Sequence, residues 1–460
     1  MGEAPVARDA SDASRGKVGS FTAACVLISN IVGGGIFTVT GLMARDLGDP
    51  ILILAMWVVG GCLAMAAAIS YSELPAALPH AGGDYVYLRQ AYGPLIGFLS
   101  GWVSFTVGFG AGIAAAAVSF ASYMLRLMPV AEENSPIFKC IALILIWAIT
   151  AVHAWGTEAG GRLQRVLTIT KVLAILIFLV AGFALGDGQW SHLAESHAQP
   201  ASGGGALISA LIFVMYTYLG WNVVGYIAGE IADPQRTIPT IVIGGTALVT
   251  GLYLLLNLLY LYALPVKALA DAPILPVAEK AAAALFGPSG ARFVAALLCV
   301  AIAGGVSAMI WAGPHVYRAM ALDGVFPAFF SVLSTHTGVP LRASLLQGLW
   351  VSLLILTGTF EQVVLFSGFI LSAFTALAIG AVIVLRRRHP ELARPFRVPL
   401  YPTLPLLAIG IFLIIVATSM VERPFESAVG VLIVLTGLPL YAFWKTGRDS
   451  DREKGTNTPA

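Results

Sequence analysis

Three successive glycines interrupt the first long apolar segment of the chain, in the run SNIVGGGIFTVTG. Each of Gly33, Gly34 and Gly35 destabilises a helix by about 1 kcal/mol relative to alanine. Close helix packing also favours small residues, but it usually spaces them four apart along one face. Because three successive glycines remove the side chains on every side of the helix, we predict an unwound segment from Ile31 to Phe37.

A second glycine group follows in MYTYLGWNVVGYIAGE, where Asn222 lies among Gly220, Gly225 and Gly229. A packing face is again the alternative. Interrupted membrane helices at corresponding places in two halves of a chain are the best sequence indication of a transporter site. Such a break exposes N–H groups that suit a carboxylate and carbonyl groups that suit an ammonium. A zwitterionic amino acid needs both.

A single lysine, Lys171, lies about 12 Å past Leu163 along the helix predicted from GRLQRVLTITKVLAILIFLV. A lysine inside a membrane helix costs about 2.5 to 3.5 kcal/mol on insertion scales, so it usually faces a partner or a cavity. Its flexible stem also allows the ammonium to extend to the interface, beside Arg162 and Arg165. The residues alone leave these two interpretations equal.

These residues are held by a very apolar chain. Of its 460 residues, 58% are hydrophobic and only 11% are charged, whereas soluble domains carry about 25% charged residues. Twelve apolar segments are long enough to cross about 30 Å of hydrocarbon as helices, and they lack the alternation of β-barrel strands. We therefore predict an all-α polytopic membrane protein. The twelve predicted spans are 20–45, 51–78, 93–127, 137–155, 163–185, 205–230, 240–263, 289–318, 343–360, 363–386, 403–421 and 425–444.

The basic residues predict the orientation of these helices. No signal peptide is apparent in residues 1–19, which we expect in the cytoplasm. Of the 26 Lys and Arg residues, 19 then fall in inner segments, as the positive-inside rule expects. An even number of helices places both termini in the cytoplasm. We predict that the protein lies in the cytoplasmic (plasma) membrane. We predict a tail at 1–19, a transporter core at 20–402, helices 11 and 12 within 403–444, and a tail at 445–460.

The remaining polar residues do not indicate other chemistry. The four cysteines lie singly in apolar spans without metal-ligand spacing, and the chain has no adenine nucleotide motif. Basic residues at helix ends are what a membrane protein needs, so we expect no nucleic acid partner. No nucleophile or second carboxylate accompanies His80, His153 or His315. We therefore expect no cofactor, no metal and no enzyme activity.

Acidic residues at the inner ends of predicted helices are expected to form ion pairs rather than to bind substrate. The acidic residues are Glu73, Asp84 and Glu230. The candidate partners are Arg236, Arg89 and Arg318. The outer segment 264–287 is too polar to span the membrane and too apolar for a free loop. We expect it to form an amphipathic cap, either a moving gate or a static cover.

Five motifs occur in order along the chain: IVGGGIF, YSELPAALPHAGGDYVYLRQAYGPLIGFLSGW, TYLGWNVVGYIAGEIADPQRTIP, HVYRAMALDGVFPAFFSVLSTHTGVP and RPFRVPLYP. Together they resemble the amino acid, polyamine and organocation (APC) transporter superfamily, especially the L-type amino acid transporters and their bacterial relatives. The resemblance implies a LeuT-like fold. Its two inverted five-helix repeats would lie at about 20–185 and 205–386, with helices one and six broken and two extra helices appended.

The resemblance also implies a substrate site between the two broken helices. The amides of Gly33, Gly34 and Gly35 would bind the substrate carboxylate. The side chain of Asn222 would line the same cavity. The substrate ammonium would bind the carbonyl groups of Ile31, Tyr216, Thr217 and Leu219.

Lys171 gains a role from the same resemblance, because relatives carry a lysine where sodium-coupled members hold a sodium ion. Its ammonium would link the unwound part of helix one to helix eight at Ser307, an interpretation now favoured over extension to the interface. Relatives often have a serine at the position of Gly34. Their substrate preference therefore does not transfer to this chain.

Together these features predict secondary active transport of amino acids by alternating access, as sodium-independent exchange or proton symport. The partner besides the amino acid and the lipid bilayer would be a proton or a counter-substrate. No carboxylate lies beside the breaks at mid-membrane, which favours neutral amino acids. Cationic amino acids or polyamines are the alternative within the superfamily, and an ion channel or membrane sensor is the alternative class. An accessory subunit is not indicated, because the outer loops lack the cysteine that some relatives use.

Overall fold

The computed structural model describes residues 18–128, 136–195, 205–271, 276–358 and 360–455. These residues form α-helices joined by short 3₁₀ turns and one π-helical stretch at Ser104–Ala111. The α-helices are α1 (Ser20–Ile31), α2 (Val39–Leu47), α3 (Pro50–Ala77), α4 (Asp84–Tyr92), α5 (Pro94–Val103), α6 (Gly112–Leu127), α7 (Pro136–Ala154), α8 (Thr157–Leu185), α9 (Gly205–Thr217), α10 (Val223–Tyr226), α11 (Pro234–Ala263), α12 (Val266–Ala270), α13 (Val277–Leu322), α14 (Leu341–Thr357), α15 (Phe360–Arg388), α16 (Thr403–Glu422) and α17 (Pro424–Gly455).

Nine helices in the described part of the chain are long and apolar enough to cross a membrane. Three of the predicted spans contain shorter apolar helices, namely α1, α9 and α14. The first two are short because the chain leaves the helix well before it would cross about 30 Å of hydrocarbon. Large apolar side chains remain exposed on the long helices, for example Val180 at 68%. Such a surface suits lipid rather than water.

The first interruption separates α1 from α2. The chain leaves the helix after Ile31, forms one 3₁₀ turn at Gly35–Phe37 and enters a helix again at Val39. The glycines explain this path, because glycine loses more conformational freedom in a helix than any other residue. The segment between the two helices therefore exposes backbone groups that a continuous helix would pair internally.

The second interruption separates α9 from α10, with turns over residues 218–222. Gly220 has a φ of +111°, a conformation that side chains rarely adopt. The Asn30 amide of α1 donates a hydrogen bond to the Gly220 carbonyl oxygen at 3.0 Å. A β-carbon on Gly220 would lie 2.6 Å from that amide nitrogen. Both the backbone angle and the close approach of α1 therefore require glycine here.

Both interruptions lie in the core of the helix bundle. There α1 packs against α8, α11 and α13, while α9 packs against α2 and α3. Buried aromatic rings surround the breaks. Trp57 makes edge contacts with Tyr218 and Tyr253, at 5.9 and 5.6 Å between ring centroids, and Tyr71 makes one with Trp221 at 5.1 Å. Each such pair contributes about 0.5 to 1.5 kcal/mol beyond its buried area, which holds the surroundings of the breaks in place.

The predicted cap at 264–287 is formed by α12 and the first part of α13, and α12 packs on α2. The long helix α13 is broken at Gly287, where φ is +69°. Arg126, near the end of α6, pairs with Glu279 of the cap at 3.1 Å. Residues 272–275 of the cap lie outside the described residues.

Glu73 forms an ion pair as predicted, but with a different partner, and the predicted ion pair of Asp84 with an arginine is wrong. Glu73 is 3% exposed, and its Oε1 accepts a hydrogen bond from Arg386 Nε of α15 at 2.8 Å. Asp84 binds tyrosine and asparagine side chains, whereas Arg89 pairs with Asp323 at 3.2 Å. The sequence indicates only which arginines lie near predicted helix ends, whereas packing brings in α15 and α13 from distant parts of the chain.

Glu230 contacts α13 at the end of the second interrupted segment. Its carboxylate accepts a hydrogen bond from Trp311 Nε1 at 2.9 Å, and His315 Nε2 lies 3.6 Å away. Its backbone carbonyl accepts from the N–H of Val18 at 3.0 Å, and the N–H of Ala232 donates to the Val18 carbonyl at 2.9 Å. These bonds tie the start of α1 to the segment that follows α10.

Candidate functional site

The two interrupted segments contact each other directly. A β-carbon placed on Gly35 would lie 2.5 Å from Thr217 Cγ2, so this contact requires glycine. The Tyr253 hydroxyl of α11 lies 2.9 Å from the Ile31 carbonyl oxygen and 3.2 Å from the Thr217 carbonyl oxygen. One hydroxyl proton is thus shared between the two segments. The predicted residues Ile31, Gly35 and Thr217 therefore come together around Tyr253.

Two of the three predicted amides are free to bind a ligand. The Gly33 N–H donates to the Ile31 carbonyl at 2.9 Å and is already used. No described residue accepts a hydrogen bond from the N–H of Gly34 or Gly35, which begin the 3₁₀ turn. A β-carbon on Gly33 or Gly34 would meet nothing within 4 Å, so open space borders this backbone. Free N–H groups beside open space suit a carboxylate.

Three of the four predicted carbonyl groups, those of Tyr216, Thr217 and Leu219, belong to the second interrupted segment. The Tyr216 carbonyl accepts from the Leu219 N–H at 3.3 Å, and its phenol side chain is 54% exposed. Within the described part of the chain, no donor reaches the Leu219 carbonyl oxygen. A carbonyl oxygen accepts two hydrogen bonds, so that of Thr217 retains capacity beside Tyr253, whereas that of Ile31 already accepts from Gly33 and Tyr253. The arrangement can therefore bind an ammonium.

Lys171 is fully buried rather than extended towards the interface. Its ammonium donates to the Val32 carbonyl at 2.8 Å and to the Ser29 carbonyl at 3.1 Å. The Ser29 hydroxyl also bonds to Thr168 Oγ1 of α8 at 2.7 Å. The ammonium thus holds the C-terminal end of α1, where unpaired carbonyl groups attract a cation.

Ser307, the residue predicted to join Lys171 to α13, has a different hydrogen-bond partner. Its hydroxyl lies 3.0 Å from His153 Nε2 of α7. Lys171 approaches α13 at another place, because a β-carbon on Gly304 would lie 3.2 Å from the ammonium nitrogen. The link between α8 and α13 therefore runs through the close approach at Gly304.

Asn222 binds Asp84, a residue that the sequence predicts to form an ion pair. Its Nδ2 donates to Asp84 Oδ2 at 3.1 Å. The Tyr226 hydroxyl donates to the same oxygen at 2.8 Å, and the Tyr71 hydroxyl donates to Oδ1 at 2.7 Å. Burial raises the pKa of the Asp84 carboxyl above its ordinary value, and the three hydrogen bonds oppose the rise because each favours the ionised form.

The sequence contains a partial signal for this Asp84 arrangement in HAGGDY. Gly83 has a φ of +54°, and a β-carbon there would lie 2.4 Å from the Tyr226 ring. Glycine before an acidic residue therefore marks a close approach, although the sequence does not identify the partner. Tyr253 carried no signal at all, because a tyrosine in a leucine-rich helix is indistinguishable from a core residue.

The chain is similar to known proteins along nearly its whole length. A family model described as amino acid permease matches residues 18–443. A serine/threonine exchanger of Bacillus subtilis is 28% identical over 92% of this chain and 96% of its own length. The large neutral amino acids transporter small subunit 2 of Mus musculus is 27% identical, covering 93% of this chain and 81% of its own. The cystine/glutamate transporter of Homo sapiens is 28% identical, covering 90% and 82%.

Proposed function

Because this chain belongs to the amino acid permease family, we propose that it carries amino acids across the cytoplasmic membrane by alternating access. The observation that carries the proposal is the direct contact of the two interrupted segments at Gly35 and Thr217. Unpaired backbone donors belong to the first segment and carbonyl acceptors with free capacity to the second. A zwitterion needs both within a few ångströms.

The chain is a multi-pass integral membrane protein. In the proposed architecture the chain crosses the membrane twelve times. Nine crossings are the long helices of the described residues, and the other three contain α1, α9 and α14. The two interruptions then open inverted five-helix repeats at about 20–185 and 205–386, and α16 and α17 are the extra helices. The distribution of basic residues supports cytoplasmic termini.

The proposed substrate pose uses backbone groups at both ends of the amino acid. The carboxylate binds the N–H groups of Gly34 and Gly35, while Gly33 shapes the turn through its bond to Ile31. The ammonium binds carbonyl groups of the second segment, those of Tyr216, Thr217 and Leu219. The predicted Ile31 carbonyl is left out, because it already accepts from Gly33 and Tyr253. Backbone recognition of this kind selects the part that all amino acids share and leaves the side chain to other residues.

Neutral amino acids and sodium-independent exchange are the proposed substrate class and coupling. Asp84, the carboxylate that Asn222 of the second interrupted segment contacts, already accepts from three donors, so it does not offer a free charge to a cationic side chain. Lys171 occupies the end of α1 with its own positive charge. Relatives named as a serine/threonine exchanger and a large neutral amino acids transporter support the same assignment.

Competition for uptake into liposomes that contain the purified protein tests this proposal. Unlabelled neutral amino acids should inhibit uptake of a labelled one, with or without sodium. Their methyl esters, which lack the carboxylate, and their N-acetyl forms, which lack the ammonium, should both fail to compete. Equal competition by the esters would contradict the proposed role of Gly34 and Gly35.

A further inference from the structure

The bond between Asn222 and Asp84 joins the second interruption to α4. Asp84 is the first residue of α4 and is only 7% exposed, while Asn222 immediately precedes α10. The two residues lie 138 positions apart in sequence. The contact therefore fixes a side chain of the proposed substrate cavity from outside the interrupted segments.

The chemistry of the partners fixes the direction in which the Asn222 amide points. An ionised carboxylate only accepts hydrogen bonds, so Asp84 requires the NH₂ group of the amide to face it. Tyr226 reinforces this, because its hydroxyl proton goes to Asp84 and its oxygen then accepts from Asn222 Nδ2 at 3.4 Å. Both amide protons thus have acceptors on one side. The carbonyl oxygen Oδ1 must point the other way.

That oxygen is available to a ligand. Asn222 is partly exposed, and within the described residues its Oδ1 has no donor and is not among the enclosed polar atoms. An acceptor that faces a binding cavity favours ligands that can donate to it, since an unpaired acceptor becomes costly once a ligand excludes water.

We propose that Asp84 is a positioning residue that holds Asn222 Oδ1 towards the substrate, so that the site prefers amino acids whose side chain carries a hydroxyl donor. This inference rests on the proposed function and names a substrate class within it. A pocket that forms a hydrogen bond with a substrate hydroxyl strongly rejects an analogue that lacks the hydroxyl. A purely apolar pocket discriminates much less between two side chains of similar size.

Threonine and valine test this preference, because they differ in one hydroxyl against one methyl group. Full-length protein in liposomes should take up threonine with a KM about five to ten times lower than that of valine, the range of one neutral hydrogen bond. In the Asp84→Asn variant, the side chain at position 84 can donate as well as accept, so it no longer requires the NH₂ group of Asn222 to face it. The ratio of the valine KM to the threonine KM should then fall below about two. The Vmax for alanine, whose side chain has no donor, reports any general damage to the transporter.

A double exchange distinguishes positioning from simple structural support. Asp84→Asn combined with Asn222→Asp reverses donor and acceptor in the pair and directs an acceptor towards the substrate again. The threonine preference should therefore return in the double variant. Tyr71→Phe is the matched control, because it removes a donor from the other Asp84 oxygen and should keep the preference.

Equal KM values for threonine and valine in the wild type, or a threonine preference that survives Asp84→Asn, would overturn the inference while leaving amino acid transport intact. If Asp84→Asn does not fold, Asn222→Leu decides the matter, since it removes the acceptor and an unchanged preference contradicts the proposal. Absence of any amino acid uptake by the folded wild type would contradict the proposed function itself, and this inference with it.

Discussion

The ammonium nitrogen of Lys171 lies 2.8 Å from the carbonyl oxygen of Val32, the first residue beyond α1. A helix that stops inside a membrane leaves carbonyl groups without intrahelical partners, and these need a donor or a cation. Lys171 supplies both from the neighbouring helix α8. The break in the first predicted span therefore explains why a lysine is buried in the fifth. The lysine in turn supplies hydrogen bonds to the carbonyl groups at the break.

Replacement of this lysine should separate folding from transport. Lys171→Met keeps an apolar stem in the buried space but removes the donor to Val32 and Ser29. Hydrogen bonds to charged groups contribute about 1.5 to 3 kcal/mol, so we expect uptake to fall more than about tenfold while the protein still inserts. Lys139→Met is the control, because Lys139 is an exposed lysine that also donates to a carbonyl, that of Leu356. Full uptake by Lys171→Met would contradict the role of the ammonium.

Adjacent glycines in the first interruption should respond oppositely to substitution. Gly34 has an ordinary φ of −70°, and its β-carbon would meet nothing, so Gly34→Ser should alter uptake by about twofold or less. Gly35→Ala places a methyl group against Thr217 and should abolish uptake. Adding Thr217→Ser removes the clashing Cγ2 and should restore part of the activity. Similar uptake by Gly34→Ser and Gly35→Ala would contradict the direct contact of the segments.

The shared hydroxyl of Tyr253 gives a third prediction. Tyr253→Phe keeps the ring but leaves the Ile31 and Thr217 carbonyl groups without this donor, so uptake should fall about tenfold. Tyr260 lies two helical turns further along α11, and its buried hydroxyl has no partner among the described residues. Tyr260→Phe should therefore leave uptake unchanged. An equal loss of uptake in the two variants would indicate that Tyr253 acts through packing rather than through its hydrogen bonds to Ile31 and Thr217.

The contact between Glu73 and Arg386 should dominate stability at its end of the bundle. Glu73→Gln removes the charge partner of Arg386, which is partly buried, and of Arg394, which is 8% exposed, and breaking a buried pair costs about 3 kcal/mol or more. Glu158 forms an exposed pair with Arg162, at 86% and 71% side-chain exposure, and such pairs contribute little. Thermal unfolding of the detergent-solubilised protein should show a lower Tm for Glu73→Gln only. A comparable shift for Glu158→Gln would contradict this ranking.

The sequence predicts the parts of this fold that depend on local composition. Apolar length predicts the long helices, and the run Gly33 to Gly35 predicts a local loss of helix, because both follow from the residues themselves. The partners of buried polar groups do not follow in this way. The Tyr226 hydroxyl reaches Asp84 across 142 positions, and Arg386 reaches Glu73 across 313. Such pairs depend on how distant helices pack, which no local pattern specifies.

Counterflow is the decisive measurement of amino acid transport at the two interrupted segments. Liposomes containing the purified protein are loaded with an unlabelled neutral amino acid and diluted into sodium-free buffer with a trace of the labelled form. We predict transient, saturable accumulation of label in the wild type and none in Gly35→Ala. No accumulation by the correctly folded wild type, with any amino acid inside, would contradict amino acid transport by this protein.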